Sequence, residues 1–192
     1  DIPILATLPS VQKIQKGFHL SQIFMEDVNS EFSESIRTLR TLLIAKYQKK
    51  KSILVTSTYS GEGKTTIALN ISLAFSKIGK VLLIETDIRR PSVLSLINKD
   101  DMKRSGFSDL IQGQVEFSDT ILNIPGSGID LMTSGSRRSD LTDLTTPSKL
   151  KEFFDHLKES YDYIVLDTPP IQPVSDTLFI GQATDHNLLI AR

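Results

Sequence analysis

The most informative stretch of this chain is SILVTSTYSGEGKTT, residues Ser52–Thr66. It begins with a short apolar run, Ser52–Thr56, which is typical of a buried strand, and it continues into a helical pattern over Lys64–Ile78. The loop between them is rich in small residues, so its backbone N–H groups can face one another around phosphate oxygens, and the positive end of the helix adds to the attraction. We therefore predict a phosphate-binding loop between a strand and a helix.

Seven consecutive residues are expected to hold a nucleotide in this loop: Ser60, Gly61, Glu62, Gly63, Lys64, Thr65 and Thr66. Lys64 is long enough to reach β- and γ-phosphate oxygens, and the Thr65 hydroxyl is a suitable ligand for Mg²⁺. Thr58 stands where the common form of the motif has glycine, so the pattern is met only in part. An ordinary glycine turn beside a solvated lysine is the alternative, and the strand–loop–helix context favours phosphate binding over it.

Short apolar runs alternate with amphipathic stretches along the rest of the chain. They predict strands at Lys80–Ile84, Ile129–Thr133, Tyr163–Leu166 and His186–Ala191, and helices at Ser92–Ile97, Pro147–Glu159 and Ser175–Ala183. Unbroken apolar strands that alternate with helices are typical of a parallel sheet covered on both faces. We predict an α/β fold with a doubly wound, mainly parallel sheet and helices on both faces.

The N-terminal part of the chain lacks this alternation. We expect residues 1–28 to be a linker that leads into the domain, with an edge strand at Ile2–Leu8. We expect residues 29–192 to form one P-loop domain that is truncated at its C-terminal end. Asn29 or Ser30 is suited to cap a helix. The apolar stripe of that helix follows spacings of three and four and comprises Phe32, Ile36, Leu39, Leu42 and Leu43.

Charge and composition exclude several classes of function. The 192 residues carry 22 Lys and Arg against 23 Asp and Glu, a formal net charge of −1, whereas a nucleic-acid binder normally has a basic excess. The chain has no cysteine, which excludes disulfides and thiolate metal sites. No apolar run approaches the length of about 18 residues that a membrane-spanning helix needs. We therefore expect a soluble domain whose partners do not include nucleic acid.

Three carboxylates follow predicted strands. Glu85 and Asp87 come after one strand at alternate positions, so both side chains point to one side if the chain stays extended. Asp167 directly follows another strand. Because ligands of parallel sheets bind at the carboxyl ends of the strands, we expect Asp87, Asp167 and Lys64 to converge there. Capping of the next turn is the alternative for each acid alone. Together they predict an Mg²⁺–nucleotide site in which Thr65, Asp87 and Asp167 hold the metal.

Three segments together resemble the Walker A, Walker A′ and Walker B motifs of the bacterial protein-tyrosine kinases known as BY-kinases. The matching segments are Ser60–Thr66, Val81–Pro91 and Tyr161–Pro170. The resemblance implies a P-loop kinase domain that works with ATP, ADP and Mg²⁺ on the cytoplasmic side of the cell membrane. It also implies that the domain is part of a longer membrane protein, with a polysaccharide co-polymerase region or an activator protein as its partner, in the same chain or in another. The implied role is in capsule or exopolysaccharide synthesis and export.

The resemblance further implies transfer of the γ-phosphoryl group of ATP to a tyrosine hydroxyl, with Lys64, Asp87 and Asp167 as catalytic groups. Glu85 is expected to face the acceptor, although this position is usually Asp in the family. The acceptors are expected in a tyrosine-rich C-terminal tail that this chain lacks. The tyrosines of the chain are Tyr47, Tyr59, Tyr161 and Tyr163. We expect the last two to pack in the core.

A stretch before the P-loop adds a fourth resemblance. Glu34, Arg37 and Arg40 match the family's Glu-x-x-Arg-x-x-Arg motif, which implies a ring of kinase domains. From spacing alone these residues line one side of a helix, and a solvated face with an intrahelical ion pair explains them as well. The resemblance favours self-association through contacts between arginine and carboxylate groups.

Two other functions stay open from the sequence. MinD- and ParA-type ATPases share the same strands, but they carry a lysine five residues before the phosphate-binding lysine, where this chain has Tyr59. An ATPase switch that depends on this lysine is therefore disfavoured. The other alternative is a module that binds nucleotide only to set its oligomeric state, and the glutamate at position 85 keeps it open.

Overall fold

The structure is a computed structural model that describes residues 2–10, 23–46, 51–97, 104–136, 141–172 and 175–192. Within these ranges the strands are β1 Ser52–Ser57, β2 Val81–Glu85, β3 Ile121–Ile124, β4 Ile129–Met132, β5 Tyr163–Asp167 and β6 His186–Ile190. They form one sheet with the order β3-β4-β2-β5-β1-β6. Neighbouring strands are parallel except β3 and β4, which are antiparallel.

Helices cover both faces of this sheet. They are α1 Ile23–Glu26, α2 Glu31–Lys46, α3 Lys64–Phe75, α4 Val93–Leu96, α5 Phe107–Ile111, α6 Phe117–Thr120, α7 Pro147–Leu157 and α8 Asp176–Gly181, with a short 3-10 helix at Leu141–Asp143. Successive residues of a strand face opposite sides, so Leu83 packs in a cluster with α1, α2 and α3, whereas Leu82 packs in a second cluster with α7 and α8. The predicted α/β fold, with a doubly wound, mainly parallel sheet, is confirmed. None of the helices in the described ranges is long and apolar enough to cross a membrane.

The strands and helices predicted from residue 52 onward are present, and their ends shift by three residues at most. After residue 52, the elements that were not predicted are β3, α5, α6 and the 3-10 helix Leu141–Asp143. The first three lie in the polar stretch between residues 104 and 124, where the hydrophobic pattern is too short to show a period. The strand β3 joins β4 through a tight turn in which Gly126 and Gly128 have φ angles of 77° and 72°. Glycines between two short apolar runs are a hairpin signal that the sequence does contain.

The edge strand predicted at Ile2–Leu8 is wrong, because residues 2–10 form neither a strand nor a helix. Leu5 and Leu8 are half-buried against the cluster of α1, α2 and α3, while Ile2 and Ile4 are exposed. Part of the predicted linker, residues 11–22, lies outside the described residues. The linker also contains α1, whose apolar side chains are buried in that same cluster. The division of the chain at residue 28 stays a prediction.

The helix predicted after Asn29 is α2. The Ser30 hydroxyl accepts a hydrogen bond from the Ser33 N–H at 3.2 Å. Of the two predicted candidates, Asn29 and Ser30, it is therefore Ser30 that caps α2. Four residues of the predicted stripe are buried, namely Phe32, Ile36, Leu39 and Leu43. Leu42 is 39% exposed and does not belong to the buried stripe.

Candidate functional site

The loop between β1 and α3 is shaped by two glycines and by hydrogen bonds to its own backbone. Gly61 and Gly63 have φ angles of 89° and 93°, a region that other residues rarely adopt, and a Cβ at either position would meet nothing within 4 Å. Glycine is therefore needed at these positions because of the positive φ angles, and not because a side chain would clash with a neighbour. The Ser57 hydroxyl donates to the Tyr59 carbonyl at 2.7 Å, and the Tyr59 N–H donates to Glu62 Oε2 at 2.7 Å.

Helix α3 begins directly after Gly63, so the free N–H groups of its first turn face this loop. The remaining loop residues predicted to hold a nucleotide lie around the same turn: Ser60 is exposed, and Thr65 and Thr66 are half-buried. Backbone N–H groups at the positive end of a helix are the arrangement that binds phosphate. The structure thus brings the seven predicted loop residues together in that arrangement.

Lys64 lies between two buried acids at the carboxyl edge of the sheet. Its Nζ is 3.6 Å from Asp87 Oδ2 and 3.7 Å from Asp167 Oδ1, and it donates to Thr65 Oγ1 at 3.3 Å. Lys64 and Asp87 are 9% and 4% exposed, and Asp167 is fully buried. The parallel register explains the meeting, because Asp167 at the end of β5 pairs with Glu85 at the end of β2. The predicted convergence of these side chains is therefore present in the structure.

The carboxylate of Asp167 is fully buried at the end of β5. Neither of its side-chain oxygens makes a hydrogen bond of ordinary geometry among the described residues, although the Thr65 hydroxyl lies close enough to lower the pKa of this carboxyl. Burial raises the pKa of this carboxyl to about 7, against the nearby charge of Lys64, which lowers it. Mg²⁺ takes oxygen ligands and is usually held by one or two carboxylates together with substrate phosphates and water. The chemistry of Thr65, Asp87 and Asp167 therefore fits Mg²⁺ bound with a nucleotide.

The chain after Asp167 is anchored through the Pro169 carbonyl. This oxygen accepts hydrogen bonds from Thr56 Oγ1 at 2.9 Å and from Thr177 Oγ1 at 2.6 Å. Pro169 itself has no N–H to donate, but its neighbours bind β1, because the Thr168 N–H donates to the Val55 carbonyl and the Ile171 N–H to the Ser57 carbonyl. The turn and the carboxylate before it are thereby placed relative to the phosphate loop.

Glu85 lies at the same edge of the sheet, but its carboxylate is directed towards backbone N–H groups. It accepts hydrogen bonds from Ser92 and Val93 at the start of α4, at 2.5 and 2.8 Å, and from Ser134 beyond β4 at 3.4 Å. Burial raises the pKa of this carboxyl, while the three N–H groups act in the opposite direction. The role of Glu85 towards an acceptor stays a prediction.

Two contacts at the site were not predicted from the sequence. Ser92 Oγ lies 3.4 Å from Thr65 Oγ1, next to the predicted metal ligand. Arg89 Nε lies 3.7 Å from Asp176 Oδ2, which connects the loop after β2 with the first turn of α8. Ser92 is a small polar residue, and Arg89 and Asp176 are 87 positions apart, so neither contact produces a local sequence pattern. Only the tertiary structure brings them together.

The residues of the predicted oligomerisation motif make contacts within the chain. Arg37 Nη1 donates to Glu34 Oε2 at 2.7 Å, and its Nη2 donates to the Val28 carbonyl at 2.5 Å. Arg40 Nη1 donates to the Ala74 carbonyl at 2.8 Å, at the end of α3. The intrahelical ion pair expected from spacing alone is therefore present. Whether the three side chains also bind a second copy stays a prediction.

The tyrosines differ in their surroundings. Tyr161 is 4% exposed and donates a hydrogen bond to Asp130, and the ring of Tyr163 stacks on Phe75 with 4.2 Å between centroids. The prediction that these two pack in the core is confirmed. Tyr59 is 61% exposed on the phosphate loop. Tyr47 lies outside the described residues.

Comparison with known proteins places this site in a family context. A family model described as an AAA domain matches residues 50–184. The tyrosine-protein kinase YwqD of Bacillus subtilis is 30% identical over 179 residues, which cover 88% of this chain and 71% of that protein. The tyrosine-protein kinase ptk of Acinetobacter johnsonii is 25% identical over 202 residues, which cover the whole chain but only 27% of that protein.

A solved structure shows the same arrangement of strands and helices. The crystal structure of the chimerical protein CapA2B2 superposes with a TM-score of 0.84 at 28% identity, over 97% of this chain and 79% of that one. The curated relatives thus range from proteins of similar length to proteins of which this chain spans about a quarter.

Proposed function

The chain belongs to the family of bacterial tyrosine-protein kinases built on an AAA-type P-loop domain, and from this premise we propose that it transfers the γ-phosphoryl group of ATP to tyrosine hydroxyls. One observation carries the proposal. Lys64, at the start of the helix behind the phosphate loop, lies within 4 Å of two buried carboxylates that come from two different strands. A structural lysine does not need this constellation, whereas phosphoryl transfer needs a cation, metal ligands and a phosphate cradle together.

The residues of the chain promote phosphoryl transfer mainly by positioning the phosphates and neutralising their charge. The N–H groups of the loop and of the first turn of α3 hold the phosphates, and Lys64 neutralises the β- and γ-phosphate oxygens. Thr65, Asp87 and Asp167 would hold Mg²⁺, which spreads the negative charge of the transferring group. The fully buried position of Asp167 excludes water from its side of the site. Electrostatic contacts are stronger in such a surrounding than at the surface.

The acceptor is a tyrosine hydroxyl, whose unperturbed pKa is near 10. We infer that the acceptors belong to a tyrosine-rich tail of the full protein. Tyr161 is buried, and Tyr163 is half-buried with its ring stacked on Phe75, so neither belongs to an exposed tyrosine segment. The relatives are named tyrosine-protein kinases, which supports an exposed tyrosine segment as the substrate.

We further infer that the domain works at the cytoplasmic face of the cell membrane with a polysaccharide co-polymerase region or an activator protein. The resemblance to BY-kinases supports this role in capsule or exopolysaccharide export. The Acinetobacter relative also supports it, since most of its length lies outside the matched domain. Self-association into a ring through Glu34, Arg37 and Arg40 belongs to the same proposal, and their position along one side of α2 supports it.

The test is intact mass spectrometry of the full protein, with its natural tail, after incubation with Mg-ATP. We expect several phosphate additions on tail tyrosines, and a loss of at least about 10²–10³-fold in rate for Lys64→Met, because the variant lacks the charge that stabilises the transferring group. Lys151→Met is the matched control, since Lys151 is exposed on α7 and pairs there with Asp155. An unmodified protein that releases phosphate would instead identify an ATPase switch, and nucleotide binding without either reaction would identify an assembly module.

A further inference from the structure

The carboxylate of Glu85, the last residue of β2, accepts its hydrogen bonds from backbone N–H groups. Oε1 accepts from the N–H groups of Ser92 and Val93, and Oε2 accepts from the N–H of Ser134. The residue is 1% exposed. A carboxylate has about four lone-pair sites, and three of them are engaged here. Little of this group is left to meet a tyrosine that approaches from solvent.

These bonds tie three elements together. The N–H groups of Ser92 and Val93 belong to the start of α4, the glutamate belongs to β2, and Ser134 follows β4. The two ends of the loop from β2 to α4 are thereby held together by the side chain of Glu85. Within that loop, the Arg90 N–H donates to Asp87 Oδ1 at 2.9 Å, which fixes the second acid of the loop as well.

The loop between β2 and α4 places Asp87 and Ser92 at the site. Asp87 Oδ2 lies 3.6 Å from Lys64 Nζ, and Ser92 Oγ lies 3.4 Å from Thr65 Oγ1. Both contacts depend on the path of the loop that Glu85 holds at its two ends. An aspartate is one methylene shorter, so its carboxylate would lie further from the N–H groups of α4. The glutamate is suited to this contact by its length.

We propose that Glu85 is a positioning residue that holds the loop between β2 and α4, so that Asp87 faces Lys64 and Ser92 faces Thr65, and that it does not contact the tyrosine acceptor. The part of this inference that concerns phosphoryl transfer rests on the proposed function. The part that concerns the loop and nucleotide binding does not.

The first test is amide hydrogen exchange, resolved by residue, in the wild type, Glu85→Gln and Glu85→Ala. In Glu85→Gln the amide oxygen still accepts from Ser92 and Val93, but the NH₂ group cannot accept from Ser134. We expect exchange at Ser134 to rise about tenfold or more, while exchange at Ser92 and Val93 stays within about threefold. In Glu85→Ala all three amides are expected to exchange at least about tenfold faster.

The second test measures binding of Mg-ADP and the rate of tyrosine phosphorylation in the full protein. We expect Glu85→Ala to weaken Mg-ADP binding by about tenfold or more, and Glu85→Gln to recover most of this loss and most of the rate. Glu152→Gln, on the exposed face of α7, is the matched control and should change neither quantity.

The outcomes separate positioning from direct contact with the acceptor. The inference is overturned if both variants lose the rate equally while exchange and Mg-ADP binding stay as in the wild type, which is the result expected of a catalytic base. If the wild type phosphorylates no tyrosine, the proposed function fails, and exchange and Mg-ADP binding still decide this inference. If Glu85→Ala does not fold, the selective response of Ser134 in Glu85→Gln decides it, and equal exchange at all three amides overturns it.

Discussion

Asp185 provides a quantitative test of the packing between the sheet and α7. Its Oδ2 accepts four hydrogen bonds: from the N–H groups of Lys51 and Ser52 at 3.0 Å each, from Ser52 Oγ at 2.9 Å and from Lys158 Nζ at 2.8 Å. The change we consider is Asp185→Asn. The amide oxygen can replace Oδ2 as the acceptor, so the variant removes the charge and leaves the shape of the site nearly intact.

The size of the effect follows from the pKa of Asp185. Partial burial alone would raise this pKa, but the hydrogen bonds from Lys158 and Ser52 outweigh burial and lower it from 3.8 to about 2. A difference of this size corresponds to about 2.5 kcal/mol of folding free energy. The side chain is 18% exposed, so solvent screening reduces the expected value to about 1–2 kcal/mol.

The sign of the pH dependence follows from the same pKa. Because the folded state lowers it, the ionised form stabilises the fold at every pH above about 4, and this contribution is lost as the pH falls from about 4 to about 2. We therefore expect urea unfolding to show the wild type more stable than Asp185→Asn by about 1–2 kcal/mol at pH 7 and pH 5, with a smaller difference at pH 3.

A control variant separates this buried cluster from surface charge. Asp155 pairs with Lys151 and Lys158 but is 49% exposed, so Asp155→Asn is expected to cost less than about 1 kcal/mol. Equal unfolding free energies of the wild type and Asp185→Asn at pH 7 would refute the argument. A difference that stays constant between pH 5 and pH 3 would also refute it, because it would show that the charge of Asp185 is not responsible.

Two further variants test the phosphate loop and the oligomerisation motif. Gly63→Ala places a side chain at a φ of 93° with no atom within 4 Å, so strain alone should lower the unfolding free energy by about 1–2 kcal/mol, measured by urea unfolding, and weaken Mg-ADP binding. Unchanged stability would show that the loop adopts another backbone path. The double variant Arg37→Ala with Arg40→Ala should lower the oligomer mass of the full protein in light scattering. Because Arg40 also binds the Ala74 carbonyl, Arg40→Lys serves as a control that retains a donor, and unchanged mass in the double variant at matched concentration would contradict the ring.

Local sequence signals were sufficient for much of the fold and for the centre of the site. The run from Ser52 to Thr66 combines an apolar strand, two glycines and a helix, and each of these features is decided by near neighbours. The meeting of Lys64, Asp87 and Asp167 also followed from a general rule, since the carboxyl ends of parallel strands share one edge.

The misses have physical reasons of two kinds. The strand β3 and the helix α1 have four residues each, which is too short for a period to show, and both depend on contacts with distant parts of the chain. The Phe24 N–H, for example, donates to Asn70 Oδ1, 46 positions away. The surroundings of Glu85 were missed because its partners are backbone N–H groups, and backbone donors carry no residue identity that a sequence pattern could reveal.

The anchoring of α8 has a mechanical consequence for the site. Two adjacent residues of its first turn hold different loops: Asp176 pairs with Arg89 in the loop after β2, and Thr177 holds the Pro169 carbonyl after β5. Each of these loops adjoins a carboxylate that faces Lys64. Through these two contacts, α8 is joined to both of the segments that carry the acids. Leu178 of the same helix is 58% exposed, so a partner that binds this side of α8 would contact a helix that is joined to both sides of the nucleotide site.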